Sequence, residues 1–315
     1  MKVSVYCMAY NHEKYIRSAL EGFVNQKTTF DYEVFVHDDA STDNTASIIR
    51  EYAERYPQII KPIYQVENQH SKGINKFRAF ILPHATGEYI ASCEGDDYWI
   101  DETKLQRQVD FLDNHPEYSA CVHNCYKLEM KTQERVVMFG QQDYDIQTKD
   151  VLVGGSACYQ TASLMYRREH AFNRPQFYEN ASRNGFGDYP QSIFLTLKGP
   201  IRYLGRVMSV YRVGTESSWT MINRKNLHKN ALFHKHVSQM LREVNEYTNY
   251  TYNDQIKGLV LENDYQELYF DEKYSEMRKP EYRELYAKEP FTAKVKMRLK
   301  QHFGFLYKLY RKIKY

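Results

Sequence analysis

The residues best suited to chemistry are three carboxylates within the stretch Glu94-Gly95-Asp96-Asp97. Carboxylates this close together repel one another unless a cation or hydrogen-bond donors compensate their charge. Hard oxygen ligands in a partly open site suit Mg²⁺ or Mn²⁺, which bind through one or two carboxylates together with the phosphates of a substrate. Gly95 would let the backbone turn tightly and let a phosphate approach. Taken alone, the stretch supports a metal site and a solvated acidic turn about equally.

A second acidic cluster, DDASTD, runs from Asp38 to Asp43. Ser41 or Thr42 would be a good N-cap for a following helix, and the aspartates suit hydrogen-bonded turns. In the alternative interpretation, one carboxylate of this cluster holds a nucleobase or a ribose. The cluster by itself favours capping.

Two common phosphate-binding motifs are absent. No G-x-G-x-x-G follows the first strand-like run and no G-x-x-x-x-G-K-[ST] occurs in the chain, which disfavours a dinucleotide oxidoreductase and a P-loop NTPase. Cys158 and Ser163 lie in no nucleophile-elbow context, so a hydrolase triad is disfavoured too. A metal ion is therefore the favoured phosphate anchor.

Alternating strand and helix patterns must position these clusters. Apolar runs predict strands, and three- and four-residue spacing predicts helices between them; the strands are expected at 3–10, 33–37, 59–65 and 88–93, and helices at 15–23, after the DDASTD cluster and at 75–83. This order implies βαβ units, hence an α/β fold with a mostly parallel sheet flanked by helices. Ligands bind at the carboxyl ends of such strands, where Asn11-His12, Asp38-Asp39 and Glu94 to Asp97 all fall.

Composition narrows the class of protein further. The chain has 315 residues, 42% of them hydrophobic and 26% charged, with a net charge of +3, which is typical of a folded globular protein and gives no reason to expect a nucleic-acid partner. No apolar run approaches the roughly 18 residues of a membrane-spanning helix. The strand-like run from Val3 leaves no room for a signal peptide, and the five cysteines form no CxxC pair, so we expect a cytoplasmic protein.

Three sequence blocks resemble the family 2 glycosyltransferases of the GT-A fold. They are VSVYCMAYNHEKYI, EVFVHDDASTDNT and GEYIASCEGDDYW, and their order and spacing also match the family. The resemblance is strong over residues 3–100 and extends to about residue 220. It implies a GT-A (Rossmann-like) domain with a nucleotide-sugar-binding half at 1–100 and an acceptor-binding half at 101–220.

The resemblance also assigns roles to individual residues. Asp39 would contact the nucleobase with Asp38 beside it, and Tyr10 and Asn11 would line the nucleotide pocket. Lys72 would be the basic residue near the nucleotide, and Arg78 is a second basic candidate. In the second half, Tyr211-Arg212 with Ser217-Ser218-Trp219 resembles the segment that closes over the donor.

For the reaction itself, Asp96 would be the principal ligand of Mn²⁺ or Mg²⁺ in the family's DxD motif, where Glu94 holds the first acidic position. Asp188, in Gly187-Asp188-Tyr189-Pro190, matches the family's general base and would also suit a helix N-cap. The resemblance implies an inverting, metal-dependent transfer of a sugar from a nucleotide donor, with UDP expected, to a hydroxyl of a glycan or lipid-linked acceptor. Capsule, exopolysaccharide or other cell-surface glycan synthesis is the expected role. The alternatives are a nucleotidyltransferase that makes nucleotide sugars and a non-catalytic GT-A-like binding protein.

The last two segments of the chain differ from the rest in their sequence pattern and charge. Residues 221–290 read as a helical extension, which either forms an oligomer or packs on the catalytic domain. Residues 291–315 contain eight Lys or Arg and no acid, which leaves residues 1–290 with a balance of −5. Their apolar residues fall near one helical face (Val295, Leu299, Phe303, Leu306, Tyr310 and Ile313). This pattern predicts a basic amphipathic tail that binds an anionic membrane surface, at the inner face of the cell membrane, or else a helix docked on the domain.

Overall fold

A computed structural model describes residues 1–215 and 226–314, with side chains described as far as residue 302. The chain divides into two compact units, Met1–Met221 and Ile222–Tyr315. The first unit is an α/β structure. Its strands are β1 (Val3–Ala9), β2 (Tyr32–Asp38), β3 (Ile60–Tyr64), β4 (Tyr89–Ser92), β5 (Tyr98–Trp99), β6 (Ala120–Glu129), β7 (Arg135–Val137), β8 (Tyr144–Ile146), β9 (Met165–Arg167) and β10 (Ile201–Val213). Its helices are α1 (Ile16–Val24), α2 (Thr45–Arg55), α3 (Lys104–Asn114), α4 (Thr148–Gly154), α5 (Gln176–Arg183) and α6 (Asp188–Lys198).

The first third of the chain folds as its apolar runs predict. β1 pairs in parallel with β2 on one side and β4 on the other, and β2 pairs in parallel with β3. β1 and β2 are buried along nearly their whole length, as expected for strands covered on both faces. Helix α1 packs Ile16, Leu20 and Phe23 into the core beneath them.

The second half makes the sheet mixed. The strand order is β3-β2-β1-β4-β9-β6-β10-β5, with β7 on β6 and β8 on β10. β9 runs antiparallel between β4 and β6, so it joins the two halves of the sheet. β6 and β10 pair in parallel, and the two-residue β5 pairs antiparallel with β10. The α/β class is confirmed, and the parallel arrangement holds for the four strands that the sequence pattern resolved.

One local prediction is wrong and a second holds only in part. Neither Ser41 nor Thr42 caps α2, because Asn44 precedes that helix and makes no side-chain cap bond. The two hydroxyl residues bond instead to Asp38 and Asn11. The helix expected at 75–83 is a single π-helical turn at Phe77–Ile81, since Pro83 and the glycine-containing loop before it leave room for only one turn.

The second unit is helical. It contains α7 (Leu227–Tyr247), α8 (Asn253–Phe270), α9 (Arg283–Lys288) and α10 (Phe291–Lys314). α7 and α8 form an antiparallel hairpin, and a small core of Tyr265, Tyr274, Met277 and Met297 holds α10. Among the described residues, no helix is both long enough and apolar enough to cross a membrane.

Candidate active site

The loops after β1 and β2 are joined by reciprocal hydrogen bonds. The Asn11 amide donates to Ser41 Oγ (2.9 Å), the Thr42 amide donates to Asn11 Oδ1 (2.8 Å), and the His12 amide donates to Thr45 Oγ1 (2.8 Å). Asn11 has a positive φ of 54°, a conformation that asparagine tolerates better than most residues. These hydrogen bonds therefore hold the two loops against each other. Tyr10, the residue before Asn11, is 40% exposed.

The two carboxylates at the end of β2 have different partners. Asp38 accepts hydrogen bonds from the hydroxyl and the amide of Ser41, so it closes its own turn. Asp39 accepts from the amides of Gln69 (2.7 Å) and His70 (3.1 Å) in the loop after β3. Although burial opposes ionisation, these bonds and a nearby lysine keep the pKa of Asp39 below its usual value. Asp39 is thus an ionised, buried acceptor directly after β2.

The lysine on Asp39 is Lys76, which lies 3.3 Å from its Oδ2. The sequence singled out Lys72, but Lys72 is exposed and pairs with Glu67. Arg78, the second basic candidate, pairs with Glu179. Lys76 was missed because nothing in the sequence distinguishes it from the other basic residues of this loop; its only signal is its place four residues after Lys72.

In the segment after β4, Asp97 faces the protein interior. The Arg212 amide donates to its Oδ1 (2.8 Å) and Gln160 Nε2 donates to its Oδ2 (2.7 Å). The Arg212 guanidinium also donates to the backbone carbonyl of Asp96 (2.6 Å) and lies 4.3 Å from the Tyr98 ring. These bonds tie the acidic segment to β10. The sequence marked Arg212 only as part of a closing segment, since its pairing with Asp97 spans 115 residues.

Asp96 has a different environment. Its side chain is half-buried and receives one long bond, from the Thr215 hydroxyl at 3.3 Å. Gly95 allows this turn by close packing, because a Cβ there would lie 2.8 Å from His12 Nδ1 and 3.2 Å from the Met8 carbonyl. The space is filled by the protein's own atoms, and the approach of a phosphate to Gly95 stays a prediction.

Glu94 and Asp188 lie close enough for their charges to interact. Burial raises the pKa of Glu94 well above its usual range, and the charges of Asp188, Asp97 and Asp96 raise it further. Asp188 is accessible to solvent, yet desolvation by the surrounding protein raises its pKa as well. Four carboxylates therefore share one region at the carboxyl ends of β1 and β4, which also includes the start of α6.

The start of α6 leaves the Asp188 side chain available. Gly187 is the residue before the helix, no side-chain cap bond forms there, and Asp188 is the first helical residue. The capping alternative for Asp188 is therefore not what the structure contains. The other matching stretch, Ser217-Ser218-Trp219, lies outside the described residues.

The acidic cluster of Glu94, Asp96, Asp97 and Asp188 offers oxygen donors of the kind that would hold a divalent cation completed by substrate. In the part of the chain that the structure describes, no three His, Cys, Asp or Glu side chains form a metal-binding group. Asp96 nevertheless offers a carboxylate with a single long bond, next to buried acids whose repulsion a cation would relieve. Mg²⁺ sites commonly use one or two carboxylates plus phosphate oxygens and water. Asp96, with Glu94, has the chemistry for such a site.

Comparison with known proteins assigns the family. Residues 4–172 match the sequence model described as Glycosyl transferase family 2. An uncharacterised protein of Mycobacterium tuberculosis is 38% identical over 221 residues, which are 69% of this chain and 60% of that relative. The poly(ribitol-phosphate) beta-N-acetylglucosaminyltransferase TarS of Staphylococcus aureus is 37% identical over 118 residues, 36% of this chain and 19% of TarS. The chain thus spans 60% of the length of the mycobacterial relative.

Solved structures agree on the fold. A crystal structure of S. aureus TarS 1–349 in complex with UDP-GlcNAc has a TM-score of 0.60 at 20% identity, covering 86% of this chain and 73% of that one. The mannosyltransferase PcManGT from Pyrobaculum calidifontis, in complex with GDP-Man and Mn²⁺, has a TM-score of 0.54 at 18% identity over 99% and 82% of the two chains. The GT-A-like architecture expected from the sequence is confirmed, and the chain belongs to glycosyl transferase family 2.

Proposed function

We propose that the protein is an inverting, metal-dependent glycosyltransferase that moves a sugar from a nucleotide donor, UDP-linked by preference, to a hydroxyl of a glycan or lipid-linked acceptor. The observation that carries the proposal is the cluster of carboxylates in which the charge of Asp188 acts on Glu94, beside Asp96, whose side chain receives one long hydrogen bond. The relatives support it by their names: TarS is a beta-N-acetylglucosaminyltransferase, and solved neighbours hold UDP-GlcNAc or GDP-Man with Mn²⁺.

The donor would lie across the joined strand ends. Asp39 would accept a hydrogen bond from the nucleobase at Oδ1, which receives one bond from the chain, whereas Oδ2 already receives two, from the His70 amide and Lys76 Nζ. Tyr10 offers an exposed ring for stacking, and Asn11 and Asp38 hold the loop that shapes the pocket. Lys76, rather than Lys72, is the cation nearest to Asp39 in the structure.

Asp188 would act as the general base. It would take the proton from the acceptor hydroxyl as that oxygen attacks the anomeric carbon, so the configuration inverts and no covalent enzyme intermediate forms. A raised pKa makes the carboxylate a stronger base than a solvated aspartate. Asp96 and Glu94 would hold Mn²⁺ or Mg²⁺, whose charge would stabilise the departing nucleoside diphosphate. A nucleotidyltransferase would not need a general base such as Asp188. A non-catalytic binding protein would need neither that base nor carboxylates that hold a metal ion.

The described part of α10 supports a membrane partner. Ala293 and Met297 pack on the core of the second unit. Phe291, Val295 and Leu299, at four-residue spacing on another side of the helix, stay 80%, 37% and 51% exposed. The exposed Lys296 and Arg298 flank them. This apolar face with basic edges is suited to the interface of an anionic bilayer. The side chains of Phe303, Leu306, Tyr310 and Ile313 lie outside those described.

We therefore place the enzyme at the cytoplasmic face of a membrane, in cell-surface glycan synthesis. All five cysteines are free thiols, as in a reducing compartment. The four predicted segments, 1–100, 101–220, 221–290 and 291–315, would then serve donor binding, acceptor binding, support and membrane contact in turn. Oligomerisation through the helical extension stays an open alternative.

A transfer assay tests the proposed function. Nucleoside diphosphate release would be followed with UDP-GlcNAc, UDP-glucose and GDP-mannose in the presence of Mn²⁺ and membrane glycolipid extract as acceptor, on wild type and on Asp188→Asn. We expect Asp188→Asn to keep donor binding and to lose at least a hundredfold in release, because the proton has no acceptor. The exposed Asp31→Asn serves as control. If Asp188→Asn released nucleoside diphosphate at the wild-type rate, Asp188 would not be the general base.

A further inference from the structure

Arg174 is a half-buried arginine that has no carboxylate partner in the part of the chain that the structure describes. Arg174 lies between β9 and α5, and its guanidinium carbon lies 4.2 Å from the ring centroid of Tyr178. One of its terminal nitrogens reaches the Tyr166 hydroxyl at 3.4 Å, and its buried Nε has no hydrogen-bond partner. Among the described residues, no carboxylate lies within ion-pair distance of it; Glu179 on α5 pairs with Arg78 instead.

An unpaired cation in this position is costly to the folded protein. A partly buried guanidinium normally satisfies its five donors with carboxylates or carbonyls, because loss of hydration without such partners destabilises the folded protein. Stacking on Tyr178 offsets only part of this loss, since a cation–π contact leaves the N–H donors without acceptors. An anionic ligand that accepts hydrogen bonds from the guanidinium would offset this loss of stability when it binds.

The stacking partner of Arg174 links it to the start of α6, where the proposed base lies. The hydroxyl of its stacking partner Tyr178 is 3.9 Å from where a Cβ of Gly187 would lie, one residue before Asp188. The Phe77 ring, 5.9 Å from the guanidinium, packs at 4.7 Å on Tyr6 of β1. Through Tyr178 the arginine adjoins the residue before Asp188, and through Phe77 it adjoins the residue after Lys76.

We propose that Arg174 binds a carboxylate or phosphate carried by the transferred sugar or by the acceptor. This inference rests on the proposed function, and it makes an acidic sugar or a phosphate-containing glycan the substrate class of the enzyme. A guanidinium matches both groups, because its planar fork donates two parallel hydrogen bonds to two oxygens. Glutamine at this position would keep some polarity but lose the charge, and lysine would keep the charge but lose the fork.

Calorimetric titrations test the inference on the full chain. The probes are UDP-glucuronate against UDP-glucose with Mn²⁺, for an acidic donor sugar, and sn-glycerol 3-phosphate alone, for a phosphate on the acceptor. We expect wild type to bind one of the acidic probes, and Arg174→Gln to weaken that binding about tenfold or more while UDP binding is unchanged. Arg174→Lys should give an intermediate loss. Arg55→Gln is the matched control, because Arg55 also stacks on a tyrosine, Tyr56, at 5.2 Å.

The outcomes separate the two proposals. If UDP binds but neither acidic probe depends on Arg174, the arginine only stacks on Tyr178 and this inference is wrong while the proposed function stands. If no nucleotide binds, the proposed function fails, and the glycerol phosphate titration still decides whether Arg174 binds an anion. Circular dichroism of each variant establishes that it is folded, and Arg174→Lys provides the comparison if the glutamine variant does not fold.

Discussion

At the scale of single residues, Asp96 and Asp97 are adjacent in sequence and opposite in role. Asp97 receives two short bonds from the chain itself, whereas Asp96 receives one long bond. A ligand that needs a carboxylate oxygen can therefore use Asp96 without breaking protein contacts. Removing Asp97 would instead leave the Arg212 amide and Gln160 without their acceptor, which costs stability.

A buried lysine behind this segment offers a test of the residue-level electrostatics. Lys104, the first residue of α3, is fully buried, its Nζ has no hydrogen-bond partner, and it lies 3.8 Å from the Trp99 ring centroid. Burial lowers the pKa of Lys104 from 10.5 to about 7. The Trp99 ring opposes this shift because its face attracts the cation.

We expect Lys104→Met to raise the free energy of unfolding at pH 7 by about 1–4 kcal/mol, since a buried amine without a partner is replaced by an apolar chain of similar volume. Between pH 7 and 10.5 the unfolded chain holds this proton more tightly than the folded one, so wild-type stability should rise with pH there and the variant should lack that slope. Urea unfolding at pH 7 and pH 9 measures both, with the exposed Lys131→Met as control. A less stable Lys104→Met would mean that the ring contact outweighs burial.

At the scale of elements, α10 has one side that is buried in the core of the second unit and another that is exposed. Met297 is buried in the core of the second unit, so cutting the helix away would damage that core as well as the exposed face. Point variants separate the two effects. Leu299 lies on the exposed face, and Gln301 lies off it, where it accepts a hydrogen bond from Arg278.

We expect Leu299→Glu to lower binding to anionic liposomes about tenfold or more, because it removes apolar contact and adds a repelled charge. Gln301→Glu adds the same charge off the face and should lower binding only slightly. Cosedimentation with phosphatidylglycerol-containing vesicles, with neutral vesicles as reference, measures both. Equal binding by wild type and Leu299→Glu would contradict a membrane role for this face.

At the scale of the whole molecule, local patterns in the sequence predicted the parallel strands and the polar residues at their ends. The strands that precede Asn11, Asp39 and Asp96 were recognisable because each is an apolar run followed by polar residues. The antiparallel insertion of β9 was not, since it depends on pairings with β4 and β6 that are distant in sequence. The same limit hid the contacts of Arg212 with Asp97 and of Lys76 with Asp39, which join segments brought together only by the fold.

The most direct test of the central claim is a calorimetric titration of UDP into wild type and Asp96→Asn, with Mn²⁺ and with EDTA, and with Asp31→Asn as the surface control. If Asp96 holds a metal ion that binds the nucleotide, wild type and Asp31→Asn should bind UDP in the presence of Mn²⁺, and their affinity should fall at least tenfold in EDTA. Asp96→Asn should bind UDP weakly in both conditions. If UDP and GDP bind equally well with Mn²⁺ and with EDTA, or if Asp96→Asn binds as wild type does, the metal-dependent site proposed at Asp96 is wrong.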